Sequence, residues 1–162
     1  MIQIRKAGSE ELLKLWGYDD VEKASPTARF FCQNISSGNA VFWTVDNDGE
    51  LIGELYAFED IEEDRDFADG KDMAYLCAFR IRKDYRGQGL GTRLMETVIS
   101  DLRDKGFRFV TIGADDSEHI EMYEHMGFTE EVKICYTDPC ARDEDMEPQK
   151  EPNGYMLLRR KI

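Results

Sequence analysis

Tyr85-Arg86-Gly87-Gln88-Gly89-Leu90-Gly91-Thr92-Arg93 lies between an apolar run, Ala74 to Ile81, and a segment that sets Leu90, Leu94, Val98, Ile99 and Leu102 on one helical face. A strand, a glycine-rich turn and a helix in that order suit an anion. The glycines clear side chains from the backbone N–H groups, and the first helical turn adds unpaired donors at the positive end of the helix dipole. Arg86 or Arg93 can add a full charge. A tight strand-to-helix connection is the plainer reading of the same glycines. The spacing excludes two other nucleotide sites. No Lys follows a glycine as a P-loop requires, and the G-x-G-x-G of Gly87, Gly89 and Gly91 sits mid-chain, away from the first strand where a dinucleotide fingerprint belongs.

Working outward, Gly106 closes the helix, and Phe107 to Ile112 alternate as the next strand, which makes one right-handed βαβ unit. Towards the start, Ile2 and Ile4 mark a strand, and Ser9-Glu10-Glu11 opens a helix through Leu12, Leu13, Leu15 and Trp16. Ser25 and Pro26 open a second helix carrying Phe30, Phe31 and Ile35, which stops at Ser36 to Asn39. Ala40 to Val45 and Leu51 to Phe58 form a hairpin around Asp46-Asn47-Asp48-Gly49. Asp60 to Asp72 is strongly acidic and reads as an exposed loop. Beyond the βαβ unit, a short helix from Glu118 to Met126 stops at Gly127, and strands follow at Glu131 to Tyr136 and Tyr155 to Lys161. The intervening Asp138 to Asn153, with Pro139, Pro148 and Pro152, reads as a long mobile loop.

The 162 residues fit one domain, 1–162. Against 34 Asp plus Glu stand 21 Lys plus Arg, and the formal net charge of -13 repels nucleic acid. That acidity serves solubility or draws a cationic substrate. No apolar run approaches the roughly 20 residues of a spanning helix, so no membrane partner is expected and the cytoplasm is the expected compartment. Cys32, Cys77, Cys135 and Cys140, with His119 and His125, form no zinc spacing; free thiols and no metal are expected.

Arg86-Gly87-Gln88-Gly89-Leu90-Gly91 resembles the [QR]-x-x-G-x-[GA] acetyl-CoA motif of the GNAT acetyltransferases. Leu76 to Tyr85 resembles that family's fourth strand and its approach to the loop, with Lys83 where many members have Pro. Met122-Tyr123-Glu124-His125-Met126-Gly127-Phe128 resembles its L-Y-x-x-x-G-F. The resemblance spans about residues 73 to 130. It implies the GNAT fold, an α/β fold of mixed α+β character: a mixed, mostly antiparallel sheet of about seven strands with a central parallel strand-helix-strand unit and flanking helices.

It further implies an N-acetyltransferase that takes acetyl-CoA as cosubstrate and needs no metal. Phe79, Arg80 and Ile81 would border the pantetheine arm, and Arg86, Gly87, Gln88, Gly89, Leu90, Gly91 and Thr92 would hold the pyrophosphate. Asp116 stands where many members have an Asn contacting that arm. Tyr123 matches the Tyr near the CoA sulfur and is the candidate general acid. Tyr75 stands where many members have a Glu, which leaves Glu54, Asp72 and His119 as candidates for the base, beside a water chain or the C-terminal carboxylate of Ile162. The acceptor is expected to be a small cationic amine, steered by the carboxylates of the acidic loops, and a homodimer stands among the expected assemblies. A domain that binds acetyl-CoA without turning it over, or a transferase acting on protein N-termini or lysines, would carry the same loop.

Overall fold

A computed structural model describes residues 1–162. Alternation at the start of the chain becomes β1 (Ile2–Ala7), followed by α1 (Ser9–Leu15). Ser25 caps α2 (Pro26–Ser37), its Oγ accepting the Ala28 N–H at 3.1 Å, and Gly38 ends the helix in the left-handed region. β2 (Ala40–Asn47) and β3 (Glu50–Phe58) meet through Asp48 and Gly49, both at positive φ, the turn geometry that follows strand twist. Then come β4 (Met73–Ile81), α3 (Leu90–Asp104), β5 (Phe109–Ala114), α4 (Ser117–His125), β6 (Glu130–Arg142) and β7 (Pro148–Lys161). No helix is long and apolar enough to cross a membrane.

The strands form one seven-stranded sheet in the order β1-β2-β3-β4-β5-β7-β6. Only β4 and β5 run parallel, joined by α3, and every other pairing is antiparallel. This is the mixed sheet the sequence resemblance implied. Helices cover both faces. The apolar stripe of α3, including Leu94, Val98 and Ile99, packs with Leu55, Leu76 and Ile112 on one face. On the other, Leu12 of α1 and Ala28 and Phe31 of α2 pack with Phe42, Tyr56 and Phe58. Burying such a Leu or Phe side chain contributes about 1.5–3 kcal/mol, so both faces anchor the sheet that carries the turn after β4.

Two expectations fail here. Asp60 to Asp72 is not simply exposed, because Phe67 and Ala68 within it are buried, and Thr111 Oγ1 donates to the Phe67 carbonyl at 2.6 Å. Asp69 Oδ1 accepts the N–H groups of Lys71, Asp72 and Met73, which folds the segment onto the foot of β4. Nor is Asp138 to Asn153 a mobile loop: β6 and β7 continue through it as a hairpin. Pro148 begins a strand, while Pro139 and Pro152 fall where the pairing slips, between Asp138 and Arg142 and opposite the Cys135 to Thr137 step. Strands tolerate proline at such positions because no ladder N–H is required there.

Candidate active site

β4 and β5 pair from Met73 and Phe109 as far as Leu76 and Ile112, and then diverge. The cause lies on the other side of β4. Glu54 pairs with Arg80 and Tyr56 with Cys77, so Ala78 and Phe79 together oppose the single residue Leu55. Ala78 takes φ +51° to make this bulge, a conformation that costs an L-residue about 1–2 kcal/mol. Two cavities open at the split, a groove of about 530 Å³ and a smaller cavity of about 230 Å³. Phe79 and Tyr123 line both.

The groove runs from the split to the start of α3. Gly87 and Gly89 both take positive φ, near +80°, and a Cβ at either would meet nothing within 4 Å. Their freedom serves the turn and an open approach to the backbone. From Gly87 to Thr92 no backbone N–H donates within the chain; Arg93 is the first, to the Gly89 carbonyl at 3.1 Å. These unspent donors sit at the N-terminus of α3 with its positive dipole end, a setting that suits a pyrophosphate. At Gly91 the contact is the other kind, since a Cβ would stand 3.2 Å from the Phe79 ring. Arg86 Nε donates to the Ile81 carbonyl at 2.8 Å, which braces the turn and occupies that carbonyl. The Arg80 guanidinium leaves the groove to lie 5.8 Å over the Trp16 ring, so only its backbone serves the groove.

The smaller cavity is walled by the diverging ends of β4 and β5 and by the β6–β7 hairpin. Its charged lining residues are Asp115, Asp138 and Glu151, with no Lys, Arg or His among the rest. The pairing slips place the last two. Residues 151–154 of β7 bulge opposite the Cys135 to Thr137 step, and residues 139–141 of β6 bulge between Asp138 and Arg142, re-aiming side chains that regular pairing would send elsewhere. Arg142 pins this wall to α2 and to the acidic segment: its guanidinium lies 3.9 Å over Phe30 and donates to Glu63 and the Pro139 carbonyl, each at 2.9 Å. Tyr123, on α4, is buried, and its hydroxyl has no partner in the chain. Burial, and next the Asp115 carboxylate, push it up to about 12.

The expected site residues separate. Tyr123, Phe79, Arg80, Ile81, Arg86, Gly87, Gly89, Leu90, Gly91 and Thr92 line the groove together, and Gln88 sits in its loop. Asp72 does not join them. It stands at the opposite end of β4 from the bulge, about 20 Å from Ala78 by strand rise, and is out of reach as a base. Glu54 is buried and committed: Oε1 accepts Trp16 Nε1 at 2.8 Å and the Tyr56 hydroxyl at 2.9 Å, and it lines neither cavity. Asp116 is a helix cap, Oδ1 accepting the His119 N–H at 2.8 Å and meeting His119 Nδ1 at 2.8 Å, and the backbone bond foremost holds its carboxyl below the usual range. It lines neither cavity, whereas Asp115 beside it does. Asp138 and Glu151 belong to the Asp138 to Asn153 segment whose carboxylates were expected to draw a cation, but sequence reasoning singled out neither, since only the proline and acidic punctuation marks the strand irregularities that bring them to the cavity.

Comparison with known proteins agrees with this geometry. The model of the acetyltransferase (GNAT) family matches residues 7–128. The chain is 31% identical over 94 residues to the probable N-acetyltransferase camello of Xenopus tropicalis, a match that takes in 57% of this chain and 40% of that relative. The chain thus spans about two fifths of the length of that curated relative. Among solved structures, the ribosomal-protein-S18-alanine N-acetyltransferase of Escherichia coli superposes with TM-score 0.68 at 18% identity, over 100% of this chain and 94% of that one. A GNAT family acetyltransferase from Elizabethkingia anophelis with acetyl-CoA bound superposes with TM-score 0.63 at 17% identity, over 99% and 98%. With the βαβ unit, the glycine turn and the split sheet inside the matched span, this chain belongs to the GNAT acetyltransferase family.

Proposed function

We propose that residues 1–162 act as one domain that moves the acetyl group of acetyl-CoA to the primary amine of a small cationic acceptor, with both substrates bound at once. One observation carries this reading: a groove with free N–H donors and an acidic cavity meet at Phe79 and Tyr123. The groove fits the cosubstrate, since the N–H groups of Gly87 to Thr92 are unspent and the glycine turn admits a phosphate close to the backbone. When bound, acetyl-CoA supplies an activated thioester. The acceptor reading rests on the cavity, because fold likeness at this identity leaves the acceptor open. About 230 Å³ suits a small molecule, and three carboxylates with no opposing cation favour an ammonium over a neutral or anionic group.

The chain's own residues have two proton tasks. An ammonium must lose a proton before it can attack, and Asp115, the cavity carboxylate whose charge reaches Tyr123, is placed to take it. Tyr123, with its pKa near 12, stays protonated and can donate at the position of the departing sulfur. A thiolate whose thiol has the ordinary pKa, about 8.5, is a far weaker base than the tyrosinate, so full transfer from Tyr123 is uphill by several kcal/mol. Tyr123 therefore gives its proton to the departing sulfur as its oxygen takes the second N–H proton of the amine, and the hydroxyl ends the step protonated.

Release of free CoA thiol, measured with a panel of diamines, polyamines and aminoglycosides, tests the reading. Thiol release with none of them would leave a domain that binds acetyl-CoA without turning it over. Gly89→Asp, which sets a carboxylate among the N–H donors, is expected to weaken acetyl-CoA binding about 10- to 100-fold relative to Gly89→Ala, a control sharing the positive-φ strain. Equal affinities for the two variants would remove the groove from the reading.

A further inference from the structure

The acidic cavity has two chemically distinct ends. At the mouth shared with the groove, Asp115 stands with Tyr123. At the end closed by the hairpin, Asp138 faces Tyr75 and Cys77 of β4, Cys140 and Arg142 of β6, and Tyr155 of β7. Asp138 is held firmly. Its Oδ1 accepts the N–H groups of Cys140 at 2.9 Å and Ala141 at 3.3 Å, while Oδ2 has no partner in the chain. The terminal nitrogens of Arg142 donate to Glu63, Pro139 and Met146, its buried Nε has no partner, and none of its N–H groups bonds to that oxygen.

A second observation is independent of the carboxylates. Tyr75 is 4% exposed and lines the cavity, yet its hydroxyl makes no hydrogen bond within the chain. The Oη lies over Gly113, 3.5 Å from where a Cβ would stand, and that Cβ would press on the Tyr155 ring at 3.0 Å, so the glycine lets Tyr155 close in beside the hydroxyl. With the rest of the Tyr75 side chain buried, that hydroxyl meets only what the cavity holds and is left to bond whatever binds there. Tyr155, opposite, satisfies its own hydroxyl on the Thr137 carbonyl at 2.7 Å, so it contributes a wall and no free donor.

We propose that Asp138 Oδ2 and Tyr75 Oη form a subsite for a second ammonium, so that the acceptor is a short dication: one amine reacts beside Asp115 and Tyr123 while the other is held at the hairpin end. This rests on the acetyl-transfer reading and narrows it from cationic amines to diamines. Both oxygens can accept N–H bonds from an ammonium, and the cavity lining also includes Phe79, Leu76 and Ile112, apolar surface that suits an aliphatic chain between two amines. Burial raises the Asp138 carboxyl above the usual carboxylate range, more than its two backbone bonds and the Arg142 charge lower it, and a bound ammonium would offset the remainder.

The test compares putrescine with butylamine, which has the same carbon chain and lacks the second amine. The wild-type chain is expected to prefer putrescine in kcat/KM. Asp138→Asn, whose amide oxygen can keep both backbone bonds, is expected to reduce that preference about 10- to 100-fold, mainly through KM for putrescine. Tyr75→Phe removes one acceptor only and is expected to reduce it a few-fold. A preference unchanged in Asp138→Asn, or a wild-type chain that uses both amines equally, overturns the subsite while leaving acetyl transfer intact. If the wild-type chain releases thiol with neither amine but does so with another member of the wider panel, the subsite falls and acetyl transfer stands; release with none of the panel takes both.

Discussion

Tyr123 holds its hydroxyl where the groove and the acidic cavity meet, and the ring beneath it packs 6.0 Å from Phe128. Tyr123→Phe keeps that ring and removes only the hydroxyl with its proton. It is expected to lower kcat about 10- to 100-fold with little change in acetyl-CoA affinity, measured by steady-state kinetics beside direct binding. Unchanged kcat would make Tyr123 a packing residue. The place of this tyrosine is legible in Met122 to Phe128, because a short helix that stops at a glycine presents a fixed face to the sheet. Asp138 is the opposite case. Nothing in the letters Thr137-Asp138-Pro139 says which way the carboxylate points, since that depends on how many residues each strand loses to bulges.

Elements are more legible than their ends. The β4–α3–β5 unit follows from an apolar run, a glycine turn and a helical stripe, all local signals, and the sequence places it to within a few residues. The β6–β7 hairpin escapes such a reading because its stability is not local. Arg142 holds it, through Phe30 on α2, Glu63 in the acidic segment and Pro139 nearby, and its backbone N–H adds a bond to Thr27 Oγ1 at 3.0 Å. Most of these partners are far from Arg142 in sequence, so neither propensity nor periodicity could reveal them. Arg142→Ala removes a buried guanidinium and leaves its partners unmatched, which is expected to cost about 2–4 kcal/mol in urea unfolding. It is also expected to raise KM for the amine more than it weakens acetyl-CoA binding, because the wall it braces belongs to the cavity and not to the groove. A loss below about 0.5 kcal/mol would mean that the hairpin holds without it.

For the whole molecule, the net charge of -13 is plain in the sequence, but the carboxylates expected to steer a substrate are not all free. Glu63 is bound to Arg142, Asp64 to Lys133 and Asp60 to Arg65, so the acidic segment spends much of its charge on structure. Guidance of the proposed dication would then fall to the summed field and to the cavity carboxylates. Raising salt from about 10 mM to about 300 mM shortens the screening length several-fold, and kcat/KM for putrescine is expected to fall several-fold while kcat holds. A rate indifferent to salt would confine the acidity to solubility. The sheet order carries one more consequence. β7 follows β6 in the chain yet lies between β5 and β6, so β6 has no sheet neighbour until β7 has been made. On the ribosome, the nascent chain therefore completes the half that carries the glycine turn, β4 through α3 to β5, well before the strand that closes the acidic cavity emerges.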